Sequence, residues 1–293
     1  MNLNFWLIQT FNGISYGALL FLVGSGLSLI FGVMRIVNLA HGSYFLLGGY
    51  VALSVIWTME KWGWTTAGWL LALPTAAVSI AIIGLLMERI FLRPLGFDPL
   101  RQVLLTVGFA FLFQQAALDI WTGNNFDINP PDALTQSITV GGLYLPLYRV
   151  FMIVTALAIG LVLWLVMEKT RMGAAVRATV DDAQMARGVG VDTSLISMFI
   201  FALGAFLAAL GGVIGGAFLG IYPGLDFEIL PLAFAVVIIG GMGSLGGAAI
   251  GALLVGLADN FGKALFPEVS YFTLYAPMAL ILAVKPTGLF GRE

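Results

Sequence analysis

Residues 168–192 read EKTRMGAAVRATVDDAQMARGVGVD and lie between two long apolar segments, 150–167 and 195–220. Each of these segments is about long enough to cross the roughly 30 Å of hydrocarbon in a bilayer as an α-helix. Charged side chains are costly inside lipid, so the stretch 168–192, called the charged island below, must lie outside the bilayer. This alternation predicts a chain that crosses a membrane several times and presents the charged island to water or to another protein.

The composition agrees with a membrane protein. Of 293 residues, 60% are hydrophobic and 10% are charged, whereas soluble domains carry about 25% charged residues. The mean hydropathy is +1.01. Strand-like alternation is absent from the apolar runs, so we predict helices. We expect an all-α, polytopic membrane helix bundle, a single transmembrane domain over 1–293 with about eight spanning segments. They lie near 6–33, 42–57, 66–87, 102–118, 150–167, 195–220, 229–258 and 273–284.

One apolar segment is interrupted by glycine. Residues 240–247 read GGMGSLGG, which divides 229–258 into two pieces of about 12 residues, each too short to span. Non-helical backbone at membrane depth is tolerated only where it is buried in protein or lines a cavity. We therefore predict a broken, re-entrant pair of half-helices. The second would direct its positive N-terminal end toward the interior of the bundle.

The basic residues predict the orientation. Cytoplasmic loops are enriched in lysine and arginine, and ten of the 13 basic residues fall in alternate connections and at the C-terminus. The charged island and the C-terminus are therefore predicted to be cytoplasmic, and the N-terminus external. This assignment of loops to the two sides of the membrane is consistent only if the segment 229–258 enters the membrane and leaves it on the same side. The ten are Arg35, Arg89, Arg93, Arg101, Lys169, Arg171, Arg177, Arg187, Lys285 and Arg292.

The sequence offers little for catalysis or metal binding. It has no cysteine and a single histidine, so neither thiolate chemistry nor a multi-histidine metal site is available. A net charge of −2 gives no argument for nucleic acid. The nearest approach to an ATP-binding loop, 256–264, has the wrong spacing. We expect no catalytic residue, no metal and no cofactor in this chain, and no nucleic-acid partner.

The charged island contains a predicted helix. Residues 174–187 include no helix breaker. Val176 and Val180 share one helical face, while Arg177 and Asp181 share another and stand one turn apart, where they could pair. We predict one short amphipathic helix that ends at the glycines after it. A solvated connector is the alternative interpretation.

Three blocks of sequence resemble one family of transport proteins. The first is MRIVNLAHG at 34–42, close to that family's N-F-A-H-G block with Leu39 in place of phenylalanine. The second is the charged island from RAT at 177–179 to Gly190, followed by the Ala/Gly-rich stretch 201–216. The third is the glycine run at 240–247, followed by AAIG. The blocks occur in the right order over nearly the whole chain, which therefore resembles the LivH-type branched-chain amino acid permeases of ABC transporters.

The resemblance implies a permease subunit of an ATP-driven importer in a bacterial inner membrane, with a cytoplasmic C-terminus. In that family two cytoplasmic ATPases bind ATP with Mg²⁺, a second, LivM-like permease forms the other half of the membrane unit, and a periplasmic solute-binding protein delivers the substrate. A coupling helix in the loop at about 168–192 then fits a groove on an ATPase. By resemblance, that role falls on Arg177, Asp181, Asp182, Arg187 and Gly190.

Two interruptions of the predicted helices, called the first and second break below, are candidates for the translocation pathway. In the N-terminal half, Asn38 is placed to cap the helix that follows it, with His41 in the first turn of that helix. A lone histidine at such a place is commonly a satisfied structural group; the alternative is that the break lines or gates the path. The pathway candidates are Asn38, His41, Ser43 and Tyr44 in the first break and Gly241, Gly243, Ser244 and Gly246 in the second.

The remaining charges bear on mechanism and substrate. Glu60, Lys61, Asp226 and Glu228 are predicted at the external rim, solvated or in contact with a solute-binding protein. Nearly all charges lie at predicted span ends or in loops, which favours ATP-driven alternating access over ion coupling. Branched-chain or related amino acids are the expected substrates. Urea, short amides and aromatic acids are alternatives, and so is an ATP-independent transporter or channel.

Overall fold

The computed structural model describes residues 2–96, 98–285 and 287–291. Within these ranges the chain forms twelve α-helices and one two-stranded β-hairpin. Arg292, which the charge count places in the cytoplasm, lies outside the described residues. The helices are α1 Leu3–Met34, α2 His41–Glu60, α3 Thr65–Met87, α4 Pro99–Trp121, α5 Asp132–Thr135, α6 Leu147–Lys169, α7 Arg171–Asp181, α8 Ala183–Gly188, α9 Thr193–Leu219, α10 Leu225–Gly240, α11 Leu245–Leu265 and α12 Ser270–Val284, and the strands are β1 Ser137–Val140 and β2 Leu143–Pro146.

Seven of the described helices are long and apolar enough to cross a membrane. They are α1, α2, α3 with the π- and 3-10 turns that continue it to Leu95, α4, α6, α9 and α11. The predicted all-α polytopic bundle is therefore confirmed. Helix α12, which corresponds to the predicted span 273–284, has 15 residues and is shorter than each of these seven helices.

Helix α1 forms the centre of the bundle, and its second half is almost completely buried. Helix α11 runs antiparallel along it. A Cβ atom built on Gly17 would lie 2.8 Å from the Ala252 carbonyl oxygen. On another side α9 packs equally closely, since a Cβ atom on Gly26 would lie 2.7 Å from the Gly204 carbonyl oxygen. Small residues permit this close approach, which is a main source of helix association in lipid.

The prediction of two half-helices of about 12 residues within 229–258 is wrong, because both helices are longer. Helix α10 has 16 residues and α11 has 21, so α11 alone is long enough to span. Together they form an antiparallel hairpin, because Gly251 of α11 packs against Val236 of α10 and Gly247 packs against Gly240. Helix α11 thus returns toward the end of the bundle from which α10 comes, as the charge count requires.

The turn of this hairpin, 241–244, lies at one end of the bundle. Gly241 and Gly243 have φ angles of 104° and 80°, which glycine adopts without steric cost. The Ser244 hydroxyl then caps α11 by accepting a hydrogen bond from the Gly247 N–H at 3.0 Å. A Cβ atom on Gly32 would lie 2.7 Å from the Cα of Gly243. The turn therefore lies beside the C-terminal end of α1 and not at mid-membrane.

The C-terminal residues pack on the same turn. The Leu289 and Phe290 N–H groups each donate a 3.0 Å hydrogen bond to carbonyls at the end of α10, where a helix leaves acceptors unsatisfied. Gly243 also lies next to Val180 of α7. The C-terminus and the charged island therefore share one end of the bundle, as the charge count predicts. Their cytoplasmic location stays a prediction.

The opposite end carries the long connection between α4 and α6. Its β-hairpin turns at Gly141 and Gly142, whose φ angles are 58° and 83°. Between α4 and α5, Phe126 forms an isolated antiparallel bridge with Ile221. The two N–H to carbonyl hydrogen bonds are 2.9 and 2.7 Å long, measured from nitrogen to oxygen. This bridge ties the connection to the segment between α9 and α10.

Candidate coupling and translocation sites

The charged island folds as two helices and not as the single predicted helix. Helix α7 ends at Asp181, and Asp182 has extended φ and ψ of −153° and 103°. The Asp182 carboxylate accepts hydrogen bonds from the N–H groups of Gln184 and Met185 at 2.8 and 3.0 Å. Aspartate competes with the helix for backbone donors in this way. Asp182 therefore ends α7 and caps α8, and the sequence pattern 174–187 concealed this break.

Arg177 anchors the charged island to the bundle. Its guanidinium donates to the Met167 carbonyl oxygen at the end of α6, and lies 3.7 Å from the Glu168 carboxylate. The preceding residue, Val176, is buried, with 2% of its surface exposed. Pairing between Arg177 and Asp181 stays a prediction. The arginine thus connects α7 to a spanning helix.

The tip of the charged island is exposed and partly apolar. Met185 and Val189 are 67% and 75% exposed, and Arg187 and Gly190 are exposed beside them. Gly190 has a φ angle of 89°, and a Cβ atom there would meet nothing within 4 Å. Two large apolar side chains therefore stand at the exposed end of a segment that is otherwise rich in charge. Of the predicted coupling residues, Arg187 and Gly190 lie at this tip, whereas Arg177 and Asp182 shape the helices behind it.

The pKa of the Asp182 carboxyl lies below its usual value, so the group is ionised near neutral pH. The two backbone N–H groups that it accepts lower the pKa of its carboxyl, and Arg35 adds a smaller effect in the same direction. A lowered pKa means that the cap contributes stability above the unfolded-state pKa and loses it as the pH falls through the folded-state value. The α7–α8 break is therefore insensitive to pH near neutrality.

The first break, 35–40, returns the chain into the bundle before α2 begins. Arg35 ends α1 in the left-handed region, with φ of 55°. His41 then starts α2, and its Nε2 lies 2.9 Å from the Val23 carbonyl oxygen. At 1.5 Å per residue, Val23 is about 17 Å from the Met34 end of α1. Helix α2 therefore begins well inside the bundle, as predicted for a broken helix.

The residues of this break are completely buried. Asn38 and His41 are 0% exposed. Asn38 does not cap α2 as predicted; its Oδ1 accepts from the Ala40 N–H at 3.1 Å and makes a turn before the helix. The Tyr44 hydroxyl donates to the Met87 sulfur at 2.9 Å. In this conformation these side chains lie in the protein core.

Asp226 joins this buried group, and the prediction that it lies at an exposed rim is wrong. It is 2% exposed, and its Oδ2 accepts a 3.0 Å hydrogen bond from the Ser43 hydroxyl. Gly42 packs directly against the Asp226 backbone, so the N-termini of α2 and α10 meet here. The Asp226 carboxyl therefore lies beside two helix N-termini, each the positive end of a helix dipole. The available signal was its position just before the apolar run 229–239.

An open groove of about 1180 Å³ runs along α1 between α6 and α11. Its α1 residues extend from Ile14 to Val33, a distance of about 28 Å at 1.5 Å per residue, which is close to the thickness of a bilayer core. Gly243, Ser244 and Gly246 line it. Gly241 does not line it, since it packs against the C-terminal residues. The structure thus divides the pathway candidates between a closed core and an open groove.

The same groove joins the two predicted sites. At the end formed by the hairpin turn it is lined by Glu168, Arg177 and Asp181 of the charged island region, together with Arg35 and Ser244. Residues predicted for coupling and residues predicted for the pathway therefore share one surface.

Single cysteines test which break is accessible, because the natural chain has none. We expect Gly246→Cys to react readily with a water-soluble thiol reagent, since Gly246 is exposed on the groove. Asn38→Cys should react at least about tenfold more slowly in the resting state, because reaction requires the core to open. Labelling rates in membrane vesicles, with and without ATP, measure this difference.

Leu20→Cys is the matched buried control, since Leu20 is 0% exposed in the core of α1. Faster labelling at position 38 than at position 20 in any transport state would support a pathway role for the first break. Equal protection at both positions in every state would show that Asn38 and His41 are structural.

Comparison with known proteins identifies relatives along the whole chain. A family model described as the permease component of branched-chain amino acid transport systems matches residues 9–282. The chain is 31% identical to the high-affinity branched-chain amino acid transport system permease protein LivH of Escherichia coli K12, over 98% of this chain and 96% of that protein. It is 28% identical to the permease protein BraD of Pseudomonas aeruginosa over the same shares.

A more distant relative carries a different name. The autoinducer 2 import system permease protein LsrC of Escherichia coli O9:H4 is 31% identical over 64% of this chain and 56% of that protein. No solved structure matches the chain significantly. With its membrane-spanning helices and full-length relatives, the chain is a multi-pass inner-membrane protein. It belongs to the family of branched-chain amino acid transport system permease components.

Proposed function

We propose that this chain is the membrane-spanning permease subunit of an ATP-driven ABC importer, and that the charged island receives the motion of a cytoplasmic ATPase. The observation that carries the proposal is the exposed tip at Met185 and Val189. It stands on two short helices anchored through Arg177 to α6, beside one end of the groove. A tip that is apolar, exposed and fixed to a spanning helix is better suited to transmit the motion of a bound ATPase than to serve as a solvated connector.

Energy comes from partner subunits in this proposal. Two cytoplasmic ATPases bind ATP with Mg²⁺, and each engages one permease. Their closure favours one of two arrangements of the spans, which is alternating access driven by differential binding. Arg177, Asp181, Asp182, Arg187 and Gly190 form or shape the contact on this chain. This chain itself holds no cofactor.

The groove along α1 is the wall that this subunit contributes to the pathway. A second, LivM-like permease closes it from the other side, and a periplasmic solute-binding protein delivers substrate at the end opposite the charged island. The C-terminus and the charged island are cytoplasmic in this arrangement. Their shared location at one end of the bundle supports it, because Phe290 packs on the same hairpin turn that approaches α7.

The proposed substrates are branched-chain or related amino acids. Support comes from the names of the full-length relatives, whereas the shorter match to an autoinducer 2 permease indicates that related subunits serve other cargo. Urea, short amides and aromatic acids are the alternatives within the same mechanism. An ATP-independent transporter or channel is the alternative mechanism.

Reconstitution in proteoliposomes tests the proposal. The chain alone should show no uptake of labelled leucine, and the chain with its second permease, two ATPases and solute-binding protein should show uptake that requires ATP and Mg²⁺. Uptake by the chain alone would contradict the ATP-driven mechanism. ATP-dependent uptake of urea or an aromatic acid in preference to leucine would keep the mechanism and replace the substrate.

A further inference from the structure

Residues 287–291, called the strap below, follow α12 and lie across the C-terminal end of α10. The Leu289 and Phe290 N–H groups donate 3.0 Å hydrogen bonds to the carbonyl oxygens of Ile239 and Gly240, respectively. These two carbonyls belong to the last turn of α10, where a helix provides no donor of its own for them. The strap therefore caps α10 from a part of the chain that lies two helices farther along.

The strap packs on the hairpin turn 241–244 with backbone against backbone. A Cβ atom built on Gly288 would lie 2.5 Å from the Ile238 carbonyl oxygen and 2.7 Å from the Cα of Gly241. A Cβ atom on Gly241 would in turn collide with the nitrogen of Gly291. Gly288 and Gly241 also have φ angles of 79° and 104°, which glycine adopts without steric cost. Space and backbone conformation therefore both require glycine on each side of this contact.

Other residues of the hairpin turn contact α1 and the charged island. A Cβ atom on Gly32 of α1 would lie 2.7 Å from the Cα of Gly243. A Cβ atom on Gly243 would lie 3.9 Å from the Val180 side chain of α7. The Ser28 hydroxyl of α1 donates a 3.4 Å hydrogen bond to the Ser244 carbonyl oxygen. The turn thus contacts the strap through its first residue, and α1 and α7 through its third.

The strap also reaches the groove. Phe290 lines the groove together with Val180 and Gly243, and its side chain is 49% exposed. Arg35 and Asp181 line the same cavity. The charged island, the hairpin turn and the strap therefore share one continuous surface at this end of the groove.

We infer that the strap is a positioning element that holds the hairpin turn against α7, so that a movement of the charged island is passed to α10 and α11. The inference rests on the proposed function and adds a route from the coupling site into the spans. Helix α10 extends from this turn to Asp226, which binds Ser43 at the start of α2. A segment with contacts on two sides moves with its neighbours, whereas loss of one contact permits local opening.

Gly288→Ala tests this contact in the complete transporter, with two permeases, two ATPases and a solute-binding protein. The strain of alanine at positive φ shifts the equilibrium between a docked and an undocked strap about tenfold, and the collision with the Ile238 carbonyl oxygen adds to it. We expect leucine uptake per ATP hydrolysed in proteoliposomes to fall about tenfold. Copurification of the ATPases should stay unchanged, because the exposed tip at Met185 and Val189 is unaltered.

Gly142→Ala is the matched control. Gly142 has a φ angle of 83°, close to the 79° of Gly288, but a Cβ atom there would meet nothing within 4 Å. This variant carries the same backbone strain without the collision, and it should keep normal uptake per ATP hydrolysed. An equal loss in both variants would overturn the role of the strap contact.

Amide hydrogen exchange shows directly whether the strap has undocked. The Leu289 and Phe290 amides should exchange faster in Gly288→Ala than in Gly142→Ala, because their hydrogen bonds to α10 are lost. Faster exchange with normal uptake per ATP hydrolysed would overturn the inference alone, and the proposed function would stand.

Truncation after Lys285 is the second variant, since it removes the strap and leaves α10, α11 and α12 complete. It should uncouple uptake from ATP hydrolysis at least as strongly as Gly288→Ala. Loss of folded protein on truncation would overturn the inference, because the strap would then serve folding and not coupling. An unmodified transporter without ATP-driven uptake would overturn the proposed function and the inference together.

Discussion

Gly212→Val is expected to prevent the stable folding of this chain. Gly212 lies in the middle of α9, where a Cβ atom would collide with the Phe45 carbonyl oxygen and lie 3.1 Å from the Gly49 nitrogen. These are backbone atoms of α2 and cannot move aside as a flexible side chain would. Overpacking a well-packed core costs about 1–3 kcal/mol and more where backbone must shift. Separation of α2 from α9 would also displace the buried start of α2.

Gly108→Val is the matched control. Gly108 lies in the spanning helix α4, and a Cβ atom there would meet nothing within 4 Å. We expect this variant to keep the yield of monodisperse protein in detergent and its unfolding temperature, while Gly212→Val loses both. Similar behaviour of the two variants would show that the contact of α2 with α9 is looser than the structure indicates.

Met185→Glu, at the tip of the charged island, is expected to abolish ATP-driven uptake without loss of folded protein. The side chain is 67% exposed, so the substitution leaves the fold of this chain intact. If the tip enters a groove on an ATPase, a carboxylate there would be buried without a partner. Loss of an interface anchor costs about 2 kcal/mol or more, which corresponds to a roughly thirtyfold weaker contact.

Copurification of the ATPases and substrate-stimulated ATP hydrolysis measure this effect. Gly190→Trp should act in the same direction for two reasons. It places a bulky side chain at the same tip, and it is strained because Gly190 has a positive φ angle. Asp182→Lys should also uncouple, but through loss of the α8 cap. Lys61→Glu introduces a carboxylate at the opposite end and should leave copurification of the ATPases unchanged. Unaffected hydrolysis and copurification in Met185→Glu would refute the role of the tip.

The spans were predictable because burial in lipid demands long apolar helices whatever their neighbours are. The charged island was predictable for the complementary reason, since Arg177, Asp181 and Asp182 cannot lie in hydrocarbon. The break before His41 was also visible, and the helix does begin there. These features follow from local chemistry, because the preference of each segment for lipid or for water does not depend on which helices pack beside it.

The errors concern features that depend on distant residues. Asp226 looks like a rim charge in sequence, but Ser43 and two helix ends surround it. The glycine run 240–247 breaks the helix as predicted, yet its depth is set by contact with Gly32 of α1. The break at Asp182 depends on a choice between two local hydrogen-bond patterns, which periodicity alone does not resolve.

The sequence by itself determined the membrane class, the helical spans, the separation of a charged island and the family. Composition and local solvation energies are sufficient for the first three, whereas the family follows from the resemblance of three sequence blocks. Only the tertiary structure decided that Asp226 is buried against Ser43 and that the hairpin turn lies beside the charged island. The physical reason is that packing in lipid is decided by close contact between small residues on different helices, and such contacts join positions that are far apart in the chain.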